Sequence, residues 1–319
     1  MKRNRFAAYA WLVLIYNELV ILWGAYVRAS GAGAGCGSHW PLCNGEVIPR
    51  SPMLETIIEL THRMTSGLAL LLVVGLVVWA RRAFRPGHHV RAGAWLALVF
   101  ILTEALIGAG LVLFELVAHN ASVARALSMS AHLANTFILL AVLTLTAWWA
   151  SGDQPPPQVR GQGLLLLPFG GALAATLVLG ISGAAAALGD TLFPSATLAQ
   201  GLQQDFSSTA HFLVRLRVLH PLIAVVVSGY LILLAVFSVS WRPLKWTRRL
   251  ALLLVVSLLA QGGIGLLNVA LLAPIWLQLT HLLAADLIWV TLVLLTNAAL
   301  APAADQAQTA AARLRSSPI

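Results

Sequence analysis

The chain has 319 residues, of which 59% are hydrophobic and 10% charged, against roughly a quarter charged in soluble domains. Its mean hydropathy is +0.85, and runs of about twenty apolar residues, enough to cross a hydrocarbon core of about 30 Å, recur along the whole length. A soluble enzyme is excluded, and the formal net charge of +9 does not point to nucleic acid, because the basic residues gather in alternate connections between the apolar runs.

In chain order, spans are expected at 7–28, 57–80, 92–116, 123–150, 163–187, 211–238, 248–272 and 275–300. Lipid offers no partners for open backbone, so each span must be a helix and the fold class is an all-α integral membrane bundle. Lys2, Arg3 and Arg5 precede the first span, and Arg81, Arg82, Arg85 and Arg91 lie between the second and third. Arg242, Lys245, Arg248 and Arg249 lie between the sixth and seventh, and Arg313 and Arg315 follow the eighth. With eight spans these segments share one side, so the positive-inside rule puts both termini in the cytoplasm of a cell membrane. The first span is too long, and lacks the small-residue cleavage site, for a removable signal.

The 29–55 loop therefore faces outward and carries Cys36 and Cys43. That side of a bacterial membrane tolerates disulfides, and a short-range bridge is sterically easy there; two unlinked thiols are the alternative.

The two halves resemble each other. Gly24 to Gly31 at the end of span one matches Gly180-Ile181-Ser182-Gly183 in span five, and Glu104 to Gly108 in span three matches Gln261 to Gly265 in span seven. His62 and His132 in spans two and four recur as His220 and His281 in spans six and eight. A duplicated four-helix unit is expected, with residues 1–150 and 151–319 as the copies related by an axis along the membrane normal. Imidazoles inside spans are expensive and mark functional sites. Four at matching positions, all in the outer part of spans running outside to inside, suggest two buried metal centres, each held by two neutral imidazoles. With only two cysteines in the chain, heme iron is the metal this donor set fits. The other histidines, His39, His88, His89, His119 and His211, have no partner at the equivalent repeat position and read as structural or solvated.

Arg63, Arg125, Arg215 and Arg217 stand near the four histidines. Arginine pairs bidentately with carboxylates, and heme carries two propionates; interfacial snorkelling is the other reading. Glu59 lies three residues before His62 on one helix face, where it could move a proton, place a substrate, orient the histidine or simply favour the helix start. Span six has Arg217 at that position, so the asymmetry suggests one reactive site and one electron-transfer site. Glu104, matched by Gln261, is open to packing or a proton relay.

The runs Gly24-Ala25-Tyr26-Val27-Arg28-Ala29-Ser30-Gly31-Ala32-Gly33, Trp40-Pro41-Leu42-Cys43-Asn44-Gly45 with Cys36 before it, and Glu59-Leu60-Thr61-His62-Arg63 resemble the heme A synthases over essentially the whole chain. One departure from that pattern is Gly37-Ser38-His39. The resemblance implies oxidation of the C8 methyl of heme O to a formyl group, giving heme A for terminal oxidases. It implies heme b held by His220 and His281, heme O and heme A handled by His62 and His132, catalysis at Glu59, and a disulfide between Cys36 and Cys43. The partners expected are heme O, a heme O synthase, an electron donor such as a quinol or reductase, membrane lipid and further copies of the chain, with no nucleic acid. The rival readings are a di-heme b-type cytochrome that passes electrons from quinol, and a transporter without heme.

Overall fold

The computed structural model describes residues 2–152 and 162–301, so Arg313 and Arg315 lie outside the described residues. Among those residues the fold is all-helical, in the order α1 (Lys2–Ala29), α2 (Leu54–Ala83), α3 (His89–Leu113), α4 (Val123–Ser151), α5 (Leu166–Leu192), α6 (Leu198–Asp205), α7 (Phe212–Trp241), α8 (Lys245–Ala270) and α9 (Ile275–Leu300). Short 3-10 turns at Ala32–Ala34 and Gly163–Leu165 lead out of α1 and into α5. Eight helices, all but α6, are long and apolar enough to cross a membrane.

The helix ends have local causes. Ser122 accepts a hydrogen bond from the Arg125 amide at 3.2 Å and starts α4, a side-chain cap that satisfies one of the orphan donors of a first turn. α3 closes at Leu113 rather than at 116, because Glu115 and Ala118 take left-handed backbone with φ of 54° and 49°. α5 runs on to Leu192, past the 187 expected. α6 was not foreseen: its eight residues are too few for a span, and Thr197 caps it by accepting from the Gln200 amide at 3.2 Å. Pro221 sits inside α7 directly after His220; its missing N–H is tolerated in a membrane helix where neighbours satisfy the freed carbonyl.

α1 and α3 each pack on both α2 and α4, which leaves α2 and α4 as the diagonal pair. α5 and α8 each pack on both α7 and α9, which makes α7 and α9 the diagonal pair of the second group. α4 and α1 meet α9 and α5 at the seam.

α9 is the most enclosed span: 61% of its most apolar stretch is buried, against 17–33% in the others. The seam is pinned by indoles. Trp289 Nε1 donates to the Phe137 carbonyl at 2.7 Å, and the two rings stack with centroids 5.0 Å apart. Trp149 Nε1 donates to Asn297 Oδ1 at 3.0 Å. Arg28, at the C-terminal end of α1, donates to the Ala187 carbonyl and Thr191 Oγ1 of α5 and to Gln278 Oε1 of α9, at 2.8, 2.7 and 3.0 Å.

Trp289→Ala removes both the stacking and the seam hydrogen bond, so stability in detergent should fall by about 3–5 kcal/mol, while Trp289→Phe, which keeps a ring there, should lose much less. Equal unfolding midpoints for the two variants would show that the ring does not hold the seam.

Candidate functional site

All four span histidines are half-buried, and each rests against a glycine of the preceding membrane span. A Cβ built at Gly24 of α1 would lie 2.8 Å from Cε1 of His62, and one at Gly108 of α3 would lie 3.9 Å from Nε2 of His132. In the second half a Cβ at Gly183 of α5 would lie 3.0 Å from Cε1 of His220, and one at Gly265 of α8 would lie 3.3 Å from Cε1 of His281. Bare backbone on one helix thus seats the imidazole of another at Gly24, Gly183 and Gly265, with Gly108 standing looser.

The His220 and His281 rings face each other with centroids 6.3 Å apart and planes at 83°. Two imidazoles that bind one metal from opposite sides at about 2 Å place their centroids about 6 Å apart, so this spacing fits a single iron between them. Among the described residues no cluster of three or more His, Cys, Asp and Glu side chains could cage a bare ion. Paired imidazoles suit a metal whose remaining ligands come from a macrocycle.

The outward-turned Nδ1 atoms differ. The Glu104 Oε1 of α3 lies 2.9 Å from His132 Nδ1. That carboxylate accepts from Thr136 Oγ1 at Oε1 and from Asn135 Nδ2 at 2.5 Å at Oε2. His220 Nδ1 lies 3.0 Å from Ser182 Oγ. Nδ1 of His62, His132 and His281 are buried without a hydrogen bond of good geometry, and of the three only that of His132 has a carboxylate beside it. Gln261, the counterpart of Glu104, donates instead to the His281 carbonyl at 2.9 Å.

The outer loop is closed by a Cys36–Cys43 disulfide whose two residues are fully buried. Gly35 lets the loop lie directly on α2, since a Cβ there would stand 2.4 Å from the Glu55 backbone. Glu59 is 3% exposed, accepts from the Cys36 amide at 2.8 Å, and pairs with Arg63 at 2.5 Å. Arg63 also donates to the His39 and Leu42 carbonyls at 2.6 and 2.7 Å. Glu59 and Arg63 together fasten the loop to the helix that carries His62.

Arg217 does the same in the second half. It pairs with Asp190 of α5 at 3.1 Å and with Asp205 of α6 at 2.8 Å. Arg125 donates to the Ala118 and Asn120 carbonyls at 2.5 and 2.8 Å. The Nε atoms of Arg125 and Arg217 are buried without a protein partner, and Arg215 is exposed. Among the remaining histidines, His88 and His211 cap helices by accepting from the Val90 and Leu213 amides at 3.2 and 3.4 Å.

Sequence reasoning did not assign roles to the four seating glycines, to Ser182, or to Glu104 as the partner of His132. The repeat carried the signal for the glycines, because Gly24 and Gly183, and Gly108 and Gly265, fall in its matched segments.

A family described as cytochrome oxidase assembly protein matches residues 7–293. A protein from Thermus thermophilus called protoheme IX farnesyltransferase is 55% identical over 297 residues, 93% of this chain and 49% of its own length. The chain therefore spans about half the length of that relative. A heme A synthase from Halalkalibacterium halodurans is 39% identical over 146 residues, 46% of this chain and 47% of its own. One from Alkalihalophilus pseudofirmus is 40% identical over 111 residues, 35% of this chain and 37% of its own.

The glycine distances rank a set of substitutions. Gly24→Ala and Gly183→Ala place a methyl group 2.8 and 3.0 Å from an imidazole carbon and should displace the ring. Gly108→Ala, at 3.9 Å, meets ordinary van der Waals contact. Absorption spectra of bound heme should change for the first two and stay as in the unsubstituted protein for the third. The reverse order would refute the seating role.

Proposed function

The chain belongs to the cytochrome oxidase assembly family, and on that premise we propose that it is a heme A synthase, a membrane oxidoreductase that converts the C8 methyl of heme O to a formyl group. The facing imidazoles of His220 and His281 carry this reading. His220 and His281 hold a resident heme b, while His62 and His132 receive heme O as substrate and release heme A. The heme b supplies one-electron chemistry that amino-acid side chains lack. Each of two hydroxylations of the methyl group takes one oxygen atom from dioxygen, the donor supplying two electrons and two protons so that the other oxygen leaves as water, and the resulting gem-diol loses water to give the aldehyde.

The chain's own residues position and enclose. Glu59 is the acid–base group assigned to the reacting edge, and its bonds to Cys36 and Arg63 couple it to the disulfide loop that covers the first site. Arg63, Arg125, Arg215 and Arg217 form the rim toward the propionates, with Arg125 and Arg217 keeping an Nε for that purpose. Residues 1–150 and 151–319 are duplicated four-helix units, a reading supported by the four glycine–histidine seats. Both termini lie in the cytoplasm, and both sites lie toward the extracytoplasmic face. The partners are a heme O synthase, supported by the name of the longer Thermus relative, and a quinol or reductase as electron donor, with further copies of the chain beside it.

A di-heme b-type cytochrome would use the same histidine pairs. Co-expression with a heme O synthase, followed by extraction and chromatography of the hemes, separates the two: heme A appears for the synthase, and heme b alone for the cytochrome.

Two sets of variants sharpen the assignment. His220→Leu and His281→Leu should each lose most of the resident heme, and an unaltered low-spin spectrum in both would overturn the ligand assignment. Glu59→Ala should keep heme b while its heme A output drops on the order of 10²–10⁴-fold, with heme O or the intermediate alcohol accumulating. Near-normal heme A from Glu59→Ala would leave Glu59 as a loop anchor alone.

A further inference from the structure

We propose that Glu104 is the positioning residue that sets His132 apart from the other three span histidines, fixing its tautomer and making it the strongest iron donor of the four. The inference rests on the reading of His62 and His132 as a heme site.

Three side chains meet this carboxylate, and two further groups hold one of them. Glu104 Oε1 lies 2.9 Å from His132 Nδ1 and also accepts from Thr136 Oγ1, and its Oε2 accepts from Asn135 Nδ2 at 2.5 Å. Asn135 is itself held, because its Nδ2 donates to the Phe100 carbonyl at 2.8 Å and its Oδ1 accepts from Thr103 Oγ1 at 2.6 Å. The carboxylate can neither rotate away nor exchange partners without breaking this network. A proton on Nδ1 directed at Glu104 leaves Nε2 of His132 as the lone-pair nitrogen, and Nε2 is the atom on the Gly108 side. A carboxylate on the far nitrogen raises the basicity of an imidazole ligand.

The other histidines lack such a partner. His220 has the Ser182 hydroxyl; Nδ1 of His62, His132 and His281 alike make no hydrogen bond of good geometry, but only that of His132 has a carboxylate beside it, Glu104 at 2.9 Å, and Gln261, at the position of Glu104, has turned its amide to the His281 backbone. The duplicated unit therefore carries one carboxylate-backed ligand, and it lies in the half that also carries Glu59 and the disulfide loop. A more electron-donating ligand stabilises ferric over ferrous iron, so Glu104 lowers the reduction potential of iron held at His132 and leaves that at His220 and His281 untouched.

The experiment is a redox titration of the whole chain, purified after loading with hemin and followed in the absorption bands of the two sites. Glu104→Gln removes the charge and keeps the size. It should cost roughly tenfold in ferric over ferrous affinity, a rise of about 59 mV in a one-electron midpoint, with the second midpoint unmoved. Thr136→Val keeps the carboxylate but removes a donor that competes with His132 for Oε1, so it should shift the same midpoint in the opposite direction. A purely structural role for Glu104 would not give opposite signs, and Thr136→Val decides the matter if Glu104→Gln fails to accumulate. An unchanged midpoint in the variants that fold overturns the proposal. If His62→Leu and His132→Leu leave the heme content of the unsubstituted protein intact, the heme site itself is wrong, an outcome separate from the fate of Glu104.

Discussion

The contact on which both sites depend is an imidazole laid against bare backbone. Helices in lipid lack a hydrophobic drive to associate, so they approach closely only where small residues allow it. Gly24, Gly183 and Gly265 supply that approach at three places, and Gly108 stands looser against its imidazole. In each case the helix that gives up its side chain gains a histidine ring in its groove. Packing of this kind accounts for glycines and histidines recurring together.

The second organising feature is the way each outer connection is tied to the helix below it. In the first half an acid three residues before the histidine holds the loop, with Arg63 alongside. In the second half an arginine stands at that position and holds α5 and α6 through Asp190 and Asp205. The sign of the charge is reversed while the mechanical task is retained. These ion pairs are largely removed from water, where a missing partner is costly, so each connection is committed to its own half. The disulfide adds about 2–3 kcal/mol of loop-closure entropy in the first half.

Much of this was legible in the sequence because lipid makes polar residues conspicuous. His62, His132, His220 and His281 stand out against their spans, and the arginine-rich connections alternate between them. The cysteine pair was legible as two thiols on one outer loop. What was not legible lies between helices. Glu104 and His132 come from different spans, and nothing in their separation along the chain reveals that one backs the other. Arg63, Arg125 and Arg217 were visible as charges near the sites, but their engagement with loop carbonyls and aspartates depends on how the connections fold back. α6 escaped notice because eight residues carry no span signal and its polar and apolar residues alternate too briefly to show a period.

The enclosure of α9 bears on how the protein is made. This helix is the last of the eight spans in chain order, yet it is the one most surrounded by the others. Chains assemble from the N-terminus during synthesis, so α1, α4 and α5 enter the bilayer before the surface that will cover them exists. Until α9 arrives, the face bearing Phe137 and the clamp of Arg28 have only lipid or a chaperone beside them. His281 travels on that same late helix, so the second pair of imidazoles cannot form before the seam closes. Closure of the seam, and with it the pairing of His220 and His281, is thereby tied to insertion of α9.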